Sequence, residues 1–181
     1  PIQGVHPNPI KLWPRYPKFL QDAFIKSFCE GLKNPNQRLP ENEWQKLLIR
    51  FRGTLLRCPH CSSEVCLAMV PRGTSIKFDC GSRYSYPFTL ETDKYKLPVF
   101  PGAKLYKCQV TKDNDDYSTV CGEVIMNKKN PALWGIKNNT DKAWKFKTPD
   151  GEIKEIATGS VIPVANGIEV TFDGITTKVS K

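Results

Sequence analysis

Asn34-Pro35-Asn36-Gln37-Arg38-Leu39-Pro40-Glu41-Asn42-Glu43-Trp44 organises the N-terminal part of this chain, because it ends one helix and opens another. Upstream, Pro17 stands where a helix loses no useful N–H. Phe19, Leu20, Ala23, Phe24, Phe28 and Leu32 follow at three- and four-residue spacing. That spacing predicts one amphipathic helix. It closes near Gly31 and at Asn34-Pro35, since proline disfavours helical backbone in the residue before it. Downstream, Pro40 opens a second helix with Glu41 and Glu43 in the first turn, where acidic groups meet the positive helix end. Its stripe is Trp44, Leu47, Leu48 and Phe51, with Leu55 as its furthest candidate member. Both stripes require a partner surface.

Leu12-Trp13-Pro14-Arg15, Leu20-Gln21-Asp22-Ala23-Phe24 and the Asn-Pro-x-x-Arg-x-Pro spacing of Asn34 to Pro40 resemble the final helices of bacterial serine/threonine protein kinases. In that family the arginine matching Arg38 pairs with a glutamate that closes the activation segment, and this chain holds no match for that glutamate. It also holds no glycine-rich phosphate loop, valine-alanine-x-lysine strand, histidine-arginine-aspartate loop or aspartate-phenylalanine-glycine metal site, the parts that phosphoryl transfer requires. Its two histidines, His6 and His60, lie in no such context. The resemblance therefore implies a non-catalytic fragment.

With 181 residues, 39% of them hydrophobic, the chain can bury a real core. No segment approaches a membrane span and the N-terminus lacks the parts of a signal peptide, so the expected location is the cytoplasm. The formal charge of +9 is uneven: residues 1–100 hold 15 basic and 8 acidic side chains, residues 101–181 hold 12 and 10. Arg50, Arg52 and Arg57 flank the first cysteine pair and could face phosphate, an acidic protein or water. No recognisable nucleic-acid module accompanies the charge, so nucleic acid is not the expected partner.

Past Arg57 the composition changes. Cys58-Pro59-His60-Cys61 has knuckle spacing, in which two thiolates reach one tetrahedral zinc while the backbone turns around them. Glu64 to Val70, the turn Pro71-Arg72-Gly73 and Ser75 to Asp79 read as a hairpin leading to Cys80-Gly81, which supplies a third ligand. The kinases that carry such a tail usually close the ribbon with another Cys-x-x-Cys, whose first position here is Lys77. A hairpin centred near Pro71 and Arg72 would set Cys66 opposite Lys77, so Cys66 is the expected fourth ligand, with His60 next. The expected set is thus Cys58, Cys61, Cys66 and Cys80 around a structural zinc. The alternative is a relic ribbon held by Val65, Leu67, Ile76 and Phe78, with free thiols.

Tyr84, Tyr86, Phe88 and Leu90 alternate as a strand, and Pro98, Pro101 and Gly102 mark a boundary. Beyond it, Leu105 to Val110 and Thr119 to Ile125 read as strands carrying Cys108 and Cys121 on facing positions, where packing is favoured over a disulfide or a second metal site in a reducing compartment. Asp113, Asp115 and Asp116 lie between them without the glycine or closing glutamate of a calcium loop. Asp150-Gly151, Asn166-Gly167 and Asp173-Gly174 favour the tight turns of antiparallel hairpins, so a sandwich is predicted. Trp134 to Asn138, Trp144, Gly159, Val161 to Val164, Ile168, Val170 and Phe172 resemble the closing strands of forkhead-associated domains, which read phosphothreonine. The glycine-arginine turn and serine-x-x-histidine loop of those domains are missing. Asn138, Asn139 and Thr140 are the polar cluster in a comparable place.

The expected fold class is α+β: a short helical segment (1–57), a zinc-ribbon-like β-hairpin module (58–100) and a C-terminal antiparallel β-sandwich (101–181). In this order the parts resemble the tail of bacterial kinases that act beside a metal-dependent phosphatase and a von Willebrand factor A protein. The resemblance implies a regulatory and docking segment that recruits the von Willebrand factor A protein by its exposed ribbon or sandwich face. A phosphothreonine-peptide reader and a basic zinc-ribbon nucleic-acid binder are the alternatives.

Overall fold

Pro7 opens the first helix of the computed structural model, α1 (Pro7–Leu12), in a structure that describes residues 2–181. A 3-10 turn at Trp13–Arg15 leads to α2 (Lys18–Ile25), capped by Pro17. A π-helical turn, Lys26–Glu30, carries α2 into α3 (Gly31–Lys33). Asn34 then turns extended, and its side chain accepts from the Asn36 N–H at 3.1 Å. Arg38 Nε donates to the Gly31 carbonyl at 2.9 Å, and a Cβ on Gly31 would come within 2.6 Å of Arg38 Cγ. Glycine is what lets the connection fold back there. α4 (Glu41–Gly53) follows with Glu41 and Glu43 in its first turn and Arg50 and Arg52 in its last, complementing its dipole at both ends.

These helices belong to one of two compact units, which takes the chain up to Leu55 together with Val65–Arg72. Leu20, Ala23 and Ile49 are its buried centre, with Phe24 and Trp44 edge to face at 5.0 Å and the Arg50 guanidinium 4.2 Å over the Phe19 ring. Among the described residues no helix is long and apolar enough to cross a membrane.

The second unit comprises Leu56–Glu64 and Gly73–Lys181. β1 (Leu55–Arg57) and β2 (Glu64–Cys66) flank the first cysteine turn, and β3 (Ile76–Lys77) and β4 (Arg83–Tyr84) pair across the second. The hairpin expected across Pro71 is not formed. Leu67–Met69 is a 3-10 turn where the first arm should continue, and each cysteine turn closes on its own backbone.

The sandwich has two antiparallel sheets. Its strands are β5 (Phe88–Glu91), β6 (Lys96–Val99), β7 (Lys104–Tyr106), β8 (Val120–Met126), β9 (Trp134–Asn138), β10 (Trp144–Lys147), β11 (Ile153–Ile156), β12 (Val161–Pro163), β13 (Glu169–Thr171) and β14 (Thr176–Ser180). One sheet runs β11-β10-β13-β14-β5-β6, the other β12-β9-β8-β7. Inward-facing Leu90, Leu105, Val124, Ile136, Ile162, Val170 and Val179 are all nearly inaccessible, and Trp144 packs edge to face on Phe172 at 4.7 Å. The fold is α+β with a β-sandwich, as the periodicities predict.

Two details differ from the sequence reading. β5 and β6 join the sandwich, with Leu90 opposite Val179, so the sheet begins before residue 101. Residues 107–110 form a helical turn, α5 (Lys107–Val110), where a strand was expected, because the buried Gln109 side chain turns back to accept from the Tyr106 N–H at 3.0 Å. Cys108 therefore sits on a helix and not on a strand facing Cys121; both are buried, and neither forms a disulfide.

The aspartates of the following loop are occupied by the chain itself. Lys107 Nζ lies 2.8 Å from Asp113 and 3.7 Å from Asp116, and Asp116 accepts from the Thr119 N–H at 2.9 Å. The backbone and side chain of Thr119 hold the Asp116 carboxyl at about 2. A carboxyl depressed below its unfolded range stabilises the fold above about 4 and loses that contribution as pH falls toward the folded value. Asp116→Asn is accordingly expected to lower the melting temperature at neutral pH. The gap to the parent should close as pH falls through about 2, which thermal melts at a series of pH values will show.

Candidate metal centre

Two knuckles of nearly the same build face each other. In the first, the Cys58 N–H donates to the Ser63 carbonyl at 2.8 Å, the Ser62 N–H donates to the Cys58 carbonyl at 3.0 Å, and Ser62 takes a positive φ of 60°. In the second, the Phe78 N–H donates to the Ser82 carbonyl at 3.0 Å, the Gly81 N–H donates to the Phe78 carbonyl at 2.9 Å, and Gly81 has φ 85°. Cys61 and Cys80 each precede the positive-φ residue, and each sulfur lies close to a serine hydroxyl two residues on, Ser63 at 3.1 Å and Ser82 at 3.2 Å.

These turns bring the ligand atoms of Cys58, Cys61 and Cys80 within 4.8 Å of one another, and the cluster could hold a metal ion. Cys58 Sγ and Cys80 Sγ are 3.6 Å apart. A tetrahedral metal with metal–sulfur bonds of about 2.3 Å spaces its sulfurs about 3.8 Å apart, so the Cys58–Cys80 pair is already close to ligand spacing. Burial pushes the Cys58 thiol up, against opposing hydrogen bonds from the Cys61 and His60 backbone. The Ser63 hydroxyl and N–H hold Cys61 at about 6, which makes it a thiolate at neutral pH, the form that ligates metal. Tyr84 is raised by its burial and then by the charges of Cys58 and Cys80.

Cys66, the expected fourth ligand, is not part of this group among the described residues. It belongs to the helical unit, where its Sγ lies 3.3 Å from Thr54 Oγ1. The reason is the pairing: strands run across each knuckle, so the Cys66–Lys77 opposition that nominated it does not arise. His60 is also outside the group. Equivalence of the two turns was missed in the sequence because the second is one residue shorter, although the shared Cys-x-Ser pattern at Cys61 and Cys80 is visible in it.

The second candidate site is a cavity of about 720 Å³ among the sandwich loops, lined in part by Lys107, Thr119, Asn139, Thr140, Lys142 and Lys145. Asn138 is fully buried there and works for the fold. Its amide donates to the Lys142 and Ile156 carbonyls at 2.8 and 3.2 Å, and its oxygen accepts from the Thr140 N–H at 2.9 Å. Lys142 Nζ is 3.2 Å from Asp173. An anion entering this cavity would compete with aspartates for both Lys107 and Lys142.

The third is an apolar groove of about 500 Å³ in the helical unit, lined by Leu12, Trp13, Tyr16, Phe24, Leu48 and Phe51 among others. No family model matches this chain, and comparisons with curated proteins and with solved structures find no significant match.

Proposed function

We propose that this chain is a non-catalytic docking segment of a bacterial serine/threonine kinase, in which the apolar groove of the helical unit receives a protein partner of the same signalling system. The partner implied by the resemblance is a von Willebrand factor A protein. One observation carries the reading: Leu12, Trp13, Tyr16, Phe24 and Leu48 are 37–49% exposed around one groove. Contiguous exposed aromatic and aliphatic side chains mark interaction surfaces, and aromatic anchors supply most of the energy of such contacts. The cysteine cluster supports the same reading as a staple, with zinc as its ion, since zinc takes thiolates in this geometry without a redox role.

Phosphopeptide reading is weaker because Lys107 and Lys142 are committed to aspartates. The test is a pull-down and titration of the full chain against the von Willebrand factor A protein. Leu48→Asp and Leu12→Asp replace exposed side chains that line the groove, so the fold should persist by circular dichroism. Each is expected to weaken binding by about 30-fold or more, the effect of losing a hot spot worth about 2 kcal/mol. Unchanged affinity in both would remove the groove from the interface.

A further inference from the structure

We infer that a metal ion held by Cys58, Cys61 and Cys80 takes its fourth ligand from outside these knuckles, and that this ligand is a thiolate. The inference rests on the metal reading above and deepens it. Superposing the knuckles by their hydrogen bonds matches Leu56, Arg57 and Cys58 to Ile76, Lys77 and Phe78: buried, exposed, buried in both. Phe78 thus stands where a fourth cysteine would, and the shortened turn has no cysteine at its base.

The Phe78 ring is fixed, 1% exposed, against Tyr84 at 5.9 Å and Phe100 at 5.8 Å, so its position is not available to another protein donor. Lys77, the position that Cys-x-x-Cys spacing points to, is an exposed cation in register with Arg83. Cys66 is engaged with Thr54.

Access and charge select the missing donor. Cys61 and Cys80 are exposed while Cys58 is buried, so the cluster reaches solvent through two of its three sulfurs. Three thiolates around a divalent ion leave one net negative charge, and a thiolate donor adds another. Exposed Arg57, Lys77 and Arg83 flank the two turns and offset that charge, opposed by Glu64 and Asp79. A fourth thiolate completes the all-cysteine tetrahedral set that closed structural zinc sites use. The thiolate could belong to a small thiol or to a cysteine of another chain; Cys29 of a second copy is one exposed candidate.

Cobalt(II) substitution of the full chain tests this, because its visible bands report both geometry and thiolate number. With a small thiol as donor, titrating 2-mercaptoethanol into the cobalt-loaded chain should raise the thiolate-to-cobalt charge-transfer band saturably. The expected rise is about one third, from three thiolates to four. Imidazole should not reproduce it, and Cys66→Ser should behave as the parent.

If a protein cysteine is the donor, the loaded chain shows four-thiolate intensity without added thiol and sediments as a dimer, and Cys29→Ser reverses both. A monomer whose spectrum ignores thiol overturns the inference while leaving the metal reading intact, as does loss of one thiolate's intensity in Cys66→Ser. No cobalt uptake at all removes the metal reading together with the inference.

Discussion

Cys58→Ser is expected to weaken zinc binding by about 100-fold or more, whereas Cys66→Ser leaves it unchanged. Cys58 is 2% exposed and its N–H is tied to Ser63, so its sulfur is delivered to the cluster by the backbone of the first knuckle. A structural zinc contributes roughly 10–16 kcal/mol in small zinc-dependent folds, spread over its ligands. Losing one of three thiolates therefore costs about 3 kcal/mol at the least, which is the stated factor.

Burial of the thiol without metal is itself tolerable, since its neutral form behaves as a small hydrophobe. The serine variant should accordingly stay folded and lose chiefly its response to metal. Competition against a chromophoric chelator reads the affinity, and thermal melts with and without chelator read the linkage. The parent should melt lower in chelator; Cys58→Ser should not. Equal zinc affinity in parent and Cys58→Ser would mean that the cluster is not the site.

The contrast between Cys58 and Cys66 shows where the sequence could be read and where it could not. Helix positions followed from three- and four-residue spacing and from the Asn34-Pro35 stop, because those signals are local. The hairpin turns at Gly151 and Gly174 followed for the same reason, the positive φ that Asp-Gly announces. Asn166-Gly167 also turns, with φ 83° at the glycine, but it carries the chain from β12 of one sheet to β13 of the other and closes no hairpin.

Pairing was harder. β5 finds its neighbour in β14, near the other end of the chain, and nothing in Phe88 to Glu91 names that partner. The strand expected at Lys107 to Val110 gave way to a helical turn through a single side-chain bond from Gln109, which alternation cannot reveal. Cys58 and Cys61 follow from knuckle spacing, a local signal, and Cys80 joins them because its own turn meets theirs. The fourth depended on which strands pair, and the knuckles pair across themselves.

Phe100→Ala is expected to destabilise the second unit by about 3–5 kcal/mol, the cost of a buried phenylalanine whose cavity cannot collapse. Phe100 is 0% exposed and packs against Phe78 at 5.8 Å, Tyr84 at 5.2 Å and Trp134 at 5.5 Å. Each well-placed aromatic pair adds about 0.5–1.5 kcal/mol beyond burial, so the upper part of the range applies. Phe100→Leu, which keeps most of the volume, should cost about 1.5 kcal/mol or less.

The same contacts make a second, more specific expectation. Phe78 and Tyr84 bracket the second cysteine turn, so loosening Phe100 lets Cys80 move away from Cys58, and zinc affinity should fall along with stability. Phe172→Ala supplies the control. It removes a similarly buried ring, edge to face with Trp144 inside the sandwich core, and should cost comparable stability with metal affinity retained. Urea unfolding of the metal-free chains gives the first quantity and chelator competition the second. If Phe100→Ala and Phe172→Ala affect zinc equally, the aromatic cluster does not set the distance between the two cysteine turns, and each knuckle holds its own geometry through its backbone bonds alone.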